Sequence, residues 1–262
     1  MYPGRLTTGK KFEKVAALAG AIKKRTELSV KVVFCDFPCM DIDPQRYKYA
    51  IRKIGEFYGL DVDEEDAAKS TTDSIDVSDN TKSNSIVDKA DIKDSSDSVD
   101  SIDSLDSLDI PPNTLNTPNT ACPDILFTSD IGYPNGFPRS GVFELLTLSS
   151  LFICPSYSES FGLTVLEAAS RGNFLVLNEM VPALEELGKK LKAYFMRWDA
   201  RNFGYDTKET YTPSEQAYLE EHATIIVNRM RDNPVLIAKT LTRQKFSPQW
   251  VWHHQLQPLI EP

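Results

Sequence analysis

The sequence predicts an α/β protein built on a parallel β-sheet with helices packed on both faces. Three observations lead to this fold class. Short apolar runs alternate along the chain with stretches of helical periodicity. These runs are rich in apolar and β-branched residues without polar alternation, as is typical of strands buried on both faces of a sheet. Several of the helical stretches begin at a proline or end at a glycine, which are preferred residues at helix boundaries.

The first helix and the first long apolar strand are predicted before residue 36. One face of the helix carries apolar side chains at Phe12, Val15, Ala16, Ala19 and Ile22. Thr7 and Thr8 precede this helix and are its candidate caps. The run VKVVFC at 30–35 then predicts a buried strand.

A second helix is predicted between Asp43 and Gly59. Asp43 can cap its first turn, Pro44 suits its first position, and Gly59 can end it. Its apolar face consists of Tyr47, Ile51, Ile54 and Tyr58. The sequence therefore defines both ends of this helix.

Residues 61–122 differ from the rest of the chain in composition. Asp and Ser dominate, aromatic residues are absent, and residues 97–109 repeat Asp, Ser and an aliphatic residue with a period of three, which fits neither a helix nor a strand. Between Asp61 and Ile110 lie 16 of the 38 acidic residues but only 4 of the 29 Lys and Arg residues. We therefore predict a disordered insertion, either a tolerated loop expansion or an acidic docking or phosphorylation tract.

After the insertion, strands and helices alternate again. Strands are predicted at ILFT (125–128), LFIC (151–154), FLVL (174–177) and AYFMRW (193–198). Helices are predicted from about Gly141, Phe161 and Pro182, and a helical tail has starts at Pro213, Pro234 and Pro248. Repeated βα units wind into a Rossmann-like parallel sheet, and ligands bind beyond the carboxyl ends of its strands.

Net charge and cysteine content exclude some classes of function. The net charge of −9 comes from the insertion, because the remaining 22 acidic and 25 basic residues give a net charge of +3. This remainder does not indicate nucleic-acid binding but is compatible with an anionic small ligand. Four cysteines are too few for a disulfide framework and lack zinc-site spacing, so we expect reduced thiols. Without a signal peptide or a transmembrane segment, the chain is predicted to be cytoplasmic.

The segment CPSYSESFGLTVLEAASRG at 154–172 carries the first candidate site. A polar loop leads from a strand into a helix, whose first free N–H groups can bind a phosphate or a diphosphate. These groups belong to Phe161, Gly162, Leu163 and Thr164. Glu159 lies in the loop, and Glu167 shares a helix face with Thr164, within reach of hydroxyls such as those of a ribose. Alternatively, Ser158 or Ser160 caps the helix and Glu167 is simply solvated.

Two cations are predicted at the same edge of the sheet. Arg5 and Lys10 follow the end of a strand near the start of the chain. An arginine can bind phosphate oxygens with two parallel hydrogen bonds, and a lysine adds a point charge. The alternative is that both side chains are solvated, as is usual for basic residues near a terminus.

Three segments together resemble a known family. GRLTTGKKF, PSYSESFGLTVLEAASRG and NEMVPALEELG resemble the carboxyl-terminal, donor-binding domain of retaining GT-B glycosyltransferases of family 4, over most of the chain outside the insertion. The spacing of Glu159 and Glu167 matches that family's signature. The resemblance implies one nucleotide-sugar-binding domain, formed by residues 1–60 and 123–262.

The resemblance also implies roles for the candidate residues. Arg5 and Lys10 would contact the donor diphosphate, and Glu159 would hold hydroxyls of the donor sugar, so that these three residues form the catalytic group. The segment 161–164 would present backbone groups to sugar and phosphate, and Glu167 would bind the ribose. The donor is a nucleoside-diphosphate sugar, and neither a metal nor another cofactor is expected. UDP, GDP and ADP donors all remain open.

Members of that family also have an amino-terminal, acceptor-binding lobe. This chain begins at the first strand of the donor lobe, so we expect a partner lobe in cis or in trans. Candidate apolar contacts with that lobe lie in the tail, at Trp250, Trp252, Leu256 and Leu259. Two alternatives remain: a non-catalytic nucleotide-sugar-binding subunit or fragment, and a glycoside hydrolase that uses Glu159 and Glu167 as acid and base.

Overall fold

The structure is a computed structural model that describes residues 1–26, 28–37, 39, 42–62, 122–198, 208–232 and 235–260. Apart from Cys122, these residues belong to one compact unit that spans Met1–Ser70 and Pro123–Pro262. The predicted disordered insertion at 61–122 lies outside the described residues, except for Asp61, Val62 and Cys122.

The described unit contains two parallel ladders of three strands each. The strands are β1 (Tyr2–Arg5), β2 (Val32–Phe37), β3 (Ile125–Phe127), β4 (Leu151–Cys154), β5 (Phe174–Asn178) and β6 (Tyr194–Met196). One ladder has the order β1-β2-β3 and the other the order β4-β5-β6.

The two ladders meet at β1 and β4. The amino group of Met1 donates a hydrogen bond to the carbonyl oxygen of Leu151 at 3.0 Å, and the ring of Tyr2 lies 6.1 Å from that of Phe152. The spatial order is therefore 3-2-1-4-5-6, which is the order of a Rossmann sheet. This confirms the predicted α/β class with a parallel sheet.

Helices connect the strands and follow the last one. They are α1 (Phe12–Thr26), α2 (Pro44–Phe57), α3 (Arg139–Leu148), α4 (Leu163–Arg171), α5 (Pro182–Leu191), α6 (Pro213–Arg231), α7 (Val235–Lys245), α8 (Pro248–Val251) and α9 (Gln257–Ile260). Short 3₁₀ turns occur at Thr8–Lys10, Thr128–Ile131 and Lys208–Tyr211, and a π-helical turn at Trp252–Leu256. In the described ranges, no helix combines the length and the apolar composition that crossing a bilayer requires.

The core lies between the sheet and the helices and is rich in aromatic residues. Phe12 at the start of α1 contacts Phe34 on β2, with ring centres 5.1 Å apart, and Phe34 stacks on Phe127 of β3 at 5.0 Å. Each of these three side chains is completely buried. Burying a side chain of this size stabilises the fold by about 1.5–3 kcal/mol.

The second helix is formed as predicted. The Asp43 carboxylate accepts hydrogen bonds from the backbone N–H groups of Gln45 at 3.0 Å and Arg46 at 3.2 Å. The chain leaves this helix through Gly59, whose φ of +97° favours glycine. The predicted apolar face is buried at Tyr47, Ile51, Ile54 and Tyr58.

Several predicted boundaries are wrong by a few residues. The strand placed at 30–35 is β2, at 32–37, and the helices placed from Gly141 and Phe161 begin at Arg139 and Leu163. Thr7 and Thr8 do not cap α1, because Thr8 begins a 3₁₀ turn and Lys11, with a φ of +54°, separates that turn from the helix. The strand was misplaced because an apolar run does not mark where the hydrogen bonds of a ladder begin and end. The run at 30–35 starts two residues before β2 and ends two residues before the end of β2.

Hydrogen bonds join Asp61 and Asp124, which lie on either side of residues 63–121. The N–H of Asp124 donates to the carbonyl oxygen of Asp61 at 2.8 Å, and the N–H of Asp61 donates to the Asp124 carboxylate at 2.9 Å. The ammonium of Lys23 on α1 lies 2.7 Å from a carboxylate oxygen of each aspartate. We call these three residues the aspartate clamp. The chain segment that follows α2 therefore lies directly beside the segment that leads into β3.

Candidate functional site

The candidate site lies where β1 and β4 end side by side. In the order 3-2-1-4-5-6, the chain direction across the sheet reverses between these two strands, and this switch point is where Rossmann-like sheets bind ligands. Lys10 lies in the 3₁₀ turn after β1, and Glu159 lies in the loop after β4. Their side chains form an ion pair and are 27% and 18% exposed. The structure thus brings together two residues that the sequence predicts for one site.

Backbone contacts hold the two loops against each other. The N–H of Tyr157 donates to the carbonyl oxygen of Gly9 at 3.3 Å. The hydroxyl of Ser156 lies 3.5 Å from the same carbonyl oxygen and 3.2 Å from that of Ser158. A Cβ atom at Gly9 would lie 3.2 Å from the Tyr157 hydroxyl, so a larger residue would require the tyrosine ring to shift by a few tenths of an ångström. Lys10 and Glu159 are therefore carried by loops that are docked on each other.

Glycine also begins the helix that follows the second loop. Gly162 has a φ of +78° and a ψ of +46° and is the N-cap residue of α4, and no side chain caps this helix. Ser158 and Ser160 are therefore not its caps. The first-turn N–H groups at Leu163 and Thr164 carry the positive end of the helix dipole, which favours an anion.

The apolar side chains beside this helix start face solvent. Phe161 lies two residues before α4, not at its first position, and is 52% exposed. Leu163, the first residue of α4, is 65% exposed. These residues can therefore contribute only backbone groups to an anion, while their side chains form an apolar border.

Glu167 lies on the second turn of α4 and is paired. Its Oε1 accepts a hydrogen bond from the guanidinium of Arg139, the first residue of α3, at 3.1 Å. The Arg139 guanidinium lies 5.3 Å from the ring centre of Phe143, and that of Arg171 lies 5.0 Å from the same ring. Glu167 is half-buried and is not an isolated solvated carboxylate. Arg139 could not be predicted as the partner of Glu167, because their 28-residue separation follows no helical or strand period.

Unlike Lys10, the predicted cation Arg5 does not contact a predicted carboxylate of the site. It is the last residue of β1 and is exposed at the same edge of the sheet as Lys10. In the part of the chain that is described, its side chain forms no ion pair with Glu159 or Glu167. A binding role for Arg5 thus depends on a ligand that reaches both cations.

Burial controls the protonation of the groups beneath the site. The thiol of Cys154, the last residue of β4, is fully buried, and this burial raises its pKa to about 12. The pKa of the neighbouring Tyr2 hydroxyl is also raised by burial. A thiol with such a pKa stays protonated near neutral pH and is a poor nucleophile. The site therefore offers charged groups for binding rather than an activated thiol. No disulfide joins the four cysteines, all of which lie among the described residues.

The remaining candidate chemistry lies elsewhere. Among the described residues, no three His, Cys, Asp or Glu side chains are placed to hold one metal ion. His222 contacts the Tyr194 hydroxyl, and His254 stacks on Trp250 with ring centres 4.5 Å apart. That stacking leaves Trp250 half-buried, not exposed as predicted, whereas the other three tail residues named above are 45–80% exposed.

One further polar residue at this edge was not predicted from the sequence. Asn178 ends β5, is completely buried, and forms hydrogen bonds to the loop that carries Glu159. A single polar residue after the apolar run FLVL was a usable signal, because it predicts a side chain at the carboxyl edge of the sheet.

Among the comparisons with known proteins, only the comparison with solved structures found matches, and these have low sequence identity and low TM-scores. No family model and no curated protein matches the chain. An α,α-trehalose-phosphate synthase (UDP-forming) from Burkholderia vietnamiensis is 14% identical, with a TM-score of 0.40, and the match covers 92% of this chain and 42% of that one. Its counterpart from Burkholderia xenovorans, in complex with glucose-6-phosphate, is 14% identical, with a TM-score of 0.40 and coverages of 94% and 43%.

A third match is an E. coli structure described as trehalose-6-phosphate bound with UDP-2-fluoro glucose. It is 10% identical, with a TM-score of 0.40, and the match covers 92% of this chain and 41% of that one. The chain thus spans less than half the length of the structures that it matches. Values this low do not assign a family or an activity.

Proposed function

We propose that this chain is the donor-binding lobe of a retaining GT-B glycosyltransferase, similar to family 4, which transfers a sugar from a nucleoside-diphosphate sugar to an acceptor. The observation that carries the proposal is the contact between Lys10 and Glu159 at the switch point of the sheet, next to the uncapped start of α4. A cation, a carboxylate and a helix N-terminus at one place suit a ligand with both a diphosphate and sugar hydroxyls.

In this proposal each group has a separate task. Lys10, Arg5 and the first N–H groups of α4 stabilise the negative charge that builds on the leaving diphosphate, which is electrostatic catalysis. Glu159 accepts hydrogen bonds from the donor sugar and orients it. Glu167, held by Arg139, binds the ribose. The departing phosphate then assists deprotonation of the acceptor on the same face of the sugar, which retains the anomeric configuration. Neither a metal nor another cofactor takes part in this scheme.

The acceptor site belongs, in this proposal, to an amino-terminal lobe in cis or in trans. The exposed tail residues Trp252, Leu256 and Leu259 would contact that lobe. The chain without this lobe is expected to bind the donor but not to transfer sugar through multiple turnovers. An assay of the purified chain with labelled nucleotide sugars and a broad acceptor panel tests this expectation, and robust transfer without an added lobe would contradict it.

Nucleotide binding is the first experiment. Calorimetric titration with UDP, GDP and ADP should reveal binding of at least one of them. Lys10→Ala and Arg5→Ala should each weaken that binding by about tenfold, because a hydrogen bond to a charged group contributes about 1.5–3 kcal/mol. Lys189→Ala is the matched control, because Lys189 is an exposed, ion-paired lysine on α5. Absence of binding to all three nucleotides by the folded protein would refute the proposal.

The carboxylate contacts weigh against a glycoside hydrolase. Such an enzyme requires one of two carboxyl groups to act as a proton donor. Here Glu159 is engaged by Lys10 and Glu167 by Arg139. Release of sugar from a simple glycoside in the absence of any nucleotide would favour the hydrolase instead.

A further inference from the structure

The side chain of Asn178 joins the carboxyl ends of three strands. Its amide nitrogen lies 3.5 Å from the carbonyl oxygen of Pro155, 3.2 Å from that of Ser156 and 3.1 Å from that of Trp198. Its amide oxygen accepts hydrogen bonds from the backbone N–H groups of Met180 at 3.1 Å and Trp198 at 3.2 Å. Asn178 therefore links the segments that follow β4, β5 and β6.

Only a carboxamide can make this set of contacts. The site needs a donor facing carbonyl oxygens and an acceptor facing N–H groups, at a position that is completely buried. An aspartate of the same shape would place a carboxylate against those carbonyl oxygens, and an aliphatic residue would leave buried backbone groups without partners.

The contacts of Asn178 continue into the candidate site. Ser156, whose carbonyl oxygen it holds, is followed by Tyr157, whose N–H donates to Gly9. Gly9 directly precedes Lys10, and Glu159 lies two residues beyond Tyr157. One buried side chain thus fixes the loop that brings the carboxylate of Glu159 to the ammonium of Lys10.

We infer that Asn178 is a positioning residue: it holds the loop 155–160 against the turn that follows β1, and thereby places Glu159 beside Lys10. Its effect on ligand binding rests on the proposed function, whereas its effect on the loop does not. The inference therefore has one readout that needs no ligand.

The ligand-free readout is hydrogen exchange at the amide of Tyr157, whose N–H donates to the Gly9 carbonyl oxygen. In Asn178→Ala this amide should exchange at least about tenfold faster than in the wild type, after correction for any loss of global stability measured in urea. Asn178→Ser keeps one donor and one acceptor in a smaller side chain, so its exchange rate at Tyr157 should lie between those of the wild type and Asn178→Ala. This variant should also fold if the alanine variant does not.

Asn173, which directly precedes β5, provides a matched control. It is also completely buried, precedes β5 at the opposite edge, and donates to the carbonyl oxygens of Leu146 at 2.7 Å and Ala168 at 3.2 Å. Asn173→Ala should lower global stability but leave the corrected exchange at Tyr157 within about twofold of the wild type.

The outcomes separate the two proposals. Faster exchange at Tyr157 in the Asn178 variants, but not in Asn173→Ala, supports the inference even if the wild type binds no nucleotide. If the wild type binds UDP, GDP or ADP, the Asn178 variants should also lose about tenfold in affinity. Faster exchange confined to Met180 and Trp198, with Tyr157 unchanged, would overturn the inference.

Discussion

The ammonium group of Lys10 contacts the carboxylate of Glu159, although 149 residues of sequence separate them. In the proposed site, these two groups bind different parts of one ligand. A bound diphosphate must therefore compete with the Glu159 carboxylate for the Lys10 ammonium. Once the diphosphate has taken Lys10, the sugar hydroxyls must donate hydrogen bonds to Glu159 in its place. This competition predicts opposite effects of one substitution on two ligands.

Glu159→Gln should bind a bare nucleoside diphosphate a few-fold more tightly than the wild type, because Lys10 loses its internal anionic partner. The same variant should bind the matching nucleotide sugar about tenfold more weakly, because an amide is a poorer acceptor for sugar hydroxyls than a carboxylate. Calorimetry with both ligands measures the two effects. Lys10→Met should weaken binding of both, and a Glu159→Gln variant that weakens both equally would contradict the model.

The ribose contact can be tested separately. Glu167→Ala should reduce nucleotide affinity at least about tenfold, since a charged hydrogen bond contributes roughly 1.5–3 kcal/mol. Arg139→Gln should have a smaller effect, because it loosens the carboxylate without removing it. Glu186→Ala, on the exposed face of α5, serves as the control. Equal affinities of Glu167→Ala and Glu186→Ala for a nucleotide would remove Glu167 from the site.

Stability should depend on pH through Glu13. Burial raises its pKa above the usual 4.5, while its carboxylate accepts a hydrogen bond from the Tyr47 hydroxyl. The folded protein therefore holds this proton more tightly than the unfolded chain, so the contribution of Glu13 is fully present at pH 4.5 and below and is lost as the pH rises through its folded pKa.

Urea unfolding of the wild type and of Glu13→Gln between pH 4 and pH 8 measures this contribution. The stability of the wild type relative to the variant should fall as the pH rises above about 4.5. Glu144→Gln, on the exposed side of α3, should show no such trend. A difference between wild type and Glu13→Gln that is independent of pH would mean that Glu13 has the same pKa in the folded protein as in the unfolded chain.

The cysteines should differ in their reaction with iodoacetamide. Burial raises the pKa of both Cys35 and Cys154 to about 12, so only about 10⁻⁴ of either thiol is ionised at pH 8. Cys122 is exposed and Cys39 half-buried, so both should be alkylated first. Mass spectrometry of the protein after brief alkylation locates the labels. In denaturant all four should react, and rapid native labelling of Cys154 would contradict its burial at the end of β4.

Replacing residues 63–121 with a short Gly/Ser linker should leave the sheet intact. The aspartate clamp holds the two ends in place, and loop length changes the closure entropy only slowly, by about 0.6 kcal/mol for each doubling. Urea unfolding should therefore show a change within about 2 kcal/mol, and nucleotide affinity should be unchanged. Failure of the shortened chain to fold, or loss of binding, would show that the replaced residues contribute to the lobe.

Much of the fold could be predicted from local patterns in the sequence. The strand LFIC and the helix starts at Pro44, Pro182 and Pro213 appear where they were expected, because apolar runs and N-terminal prolines act over a few residues. The failure at Thr7 and Thr8 has a different cause. Whether a threonine caps a helix depends on where the chain bends, and the left-handed conformation of Lys11 has no local signature.

Part of the candidate site could also be predicted from the sequence, namely which residues lie at its edge of the sheet. Lys10 and Glu159 could be assigned to one edge, because the carboxyl ends of parallel strands share an edge. Their direct contact, the pairing of Glu167 with Arg139 and the contacts of Asn178 depend on side-chain packing between distant segments. Such contacts leave no periodic trace in a single sequence.

The aspartate clamp also makes the lobe divisible. Asp61 and Asp124 hold each other through one backbone hydrogen bond and one hydrogen bond to the Asp124 carboxylate, so non-covalent contacts alone keep the segment after α2 beside the start of β3. We expect two polypeptides, one ending after Val62 and the other beginning at Cys122, to associate into the same lobe, because together they contain every residue whose contacts are described. This position is therefore a suitable place to attach a reporter that signals when the two pieces have assembled.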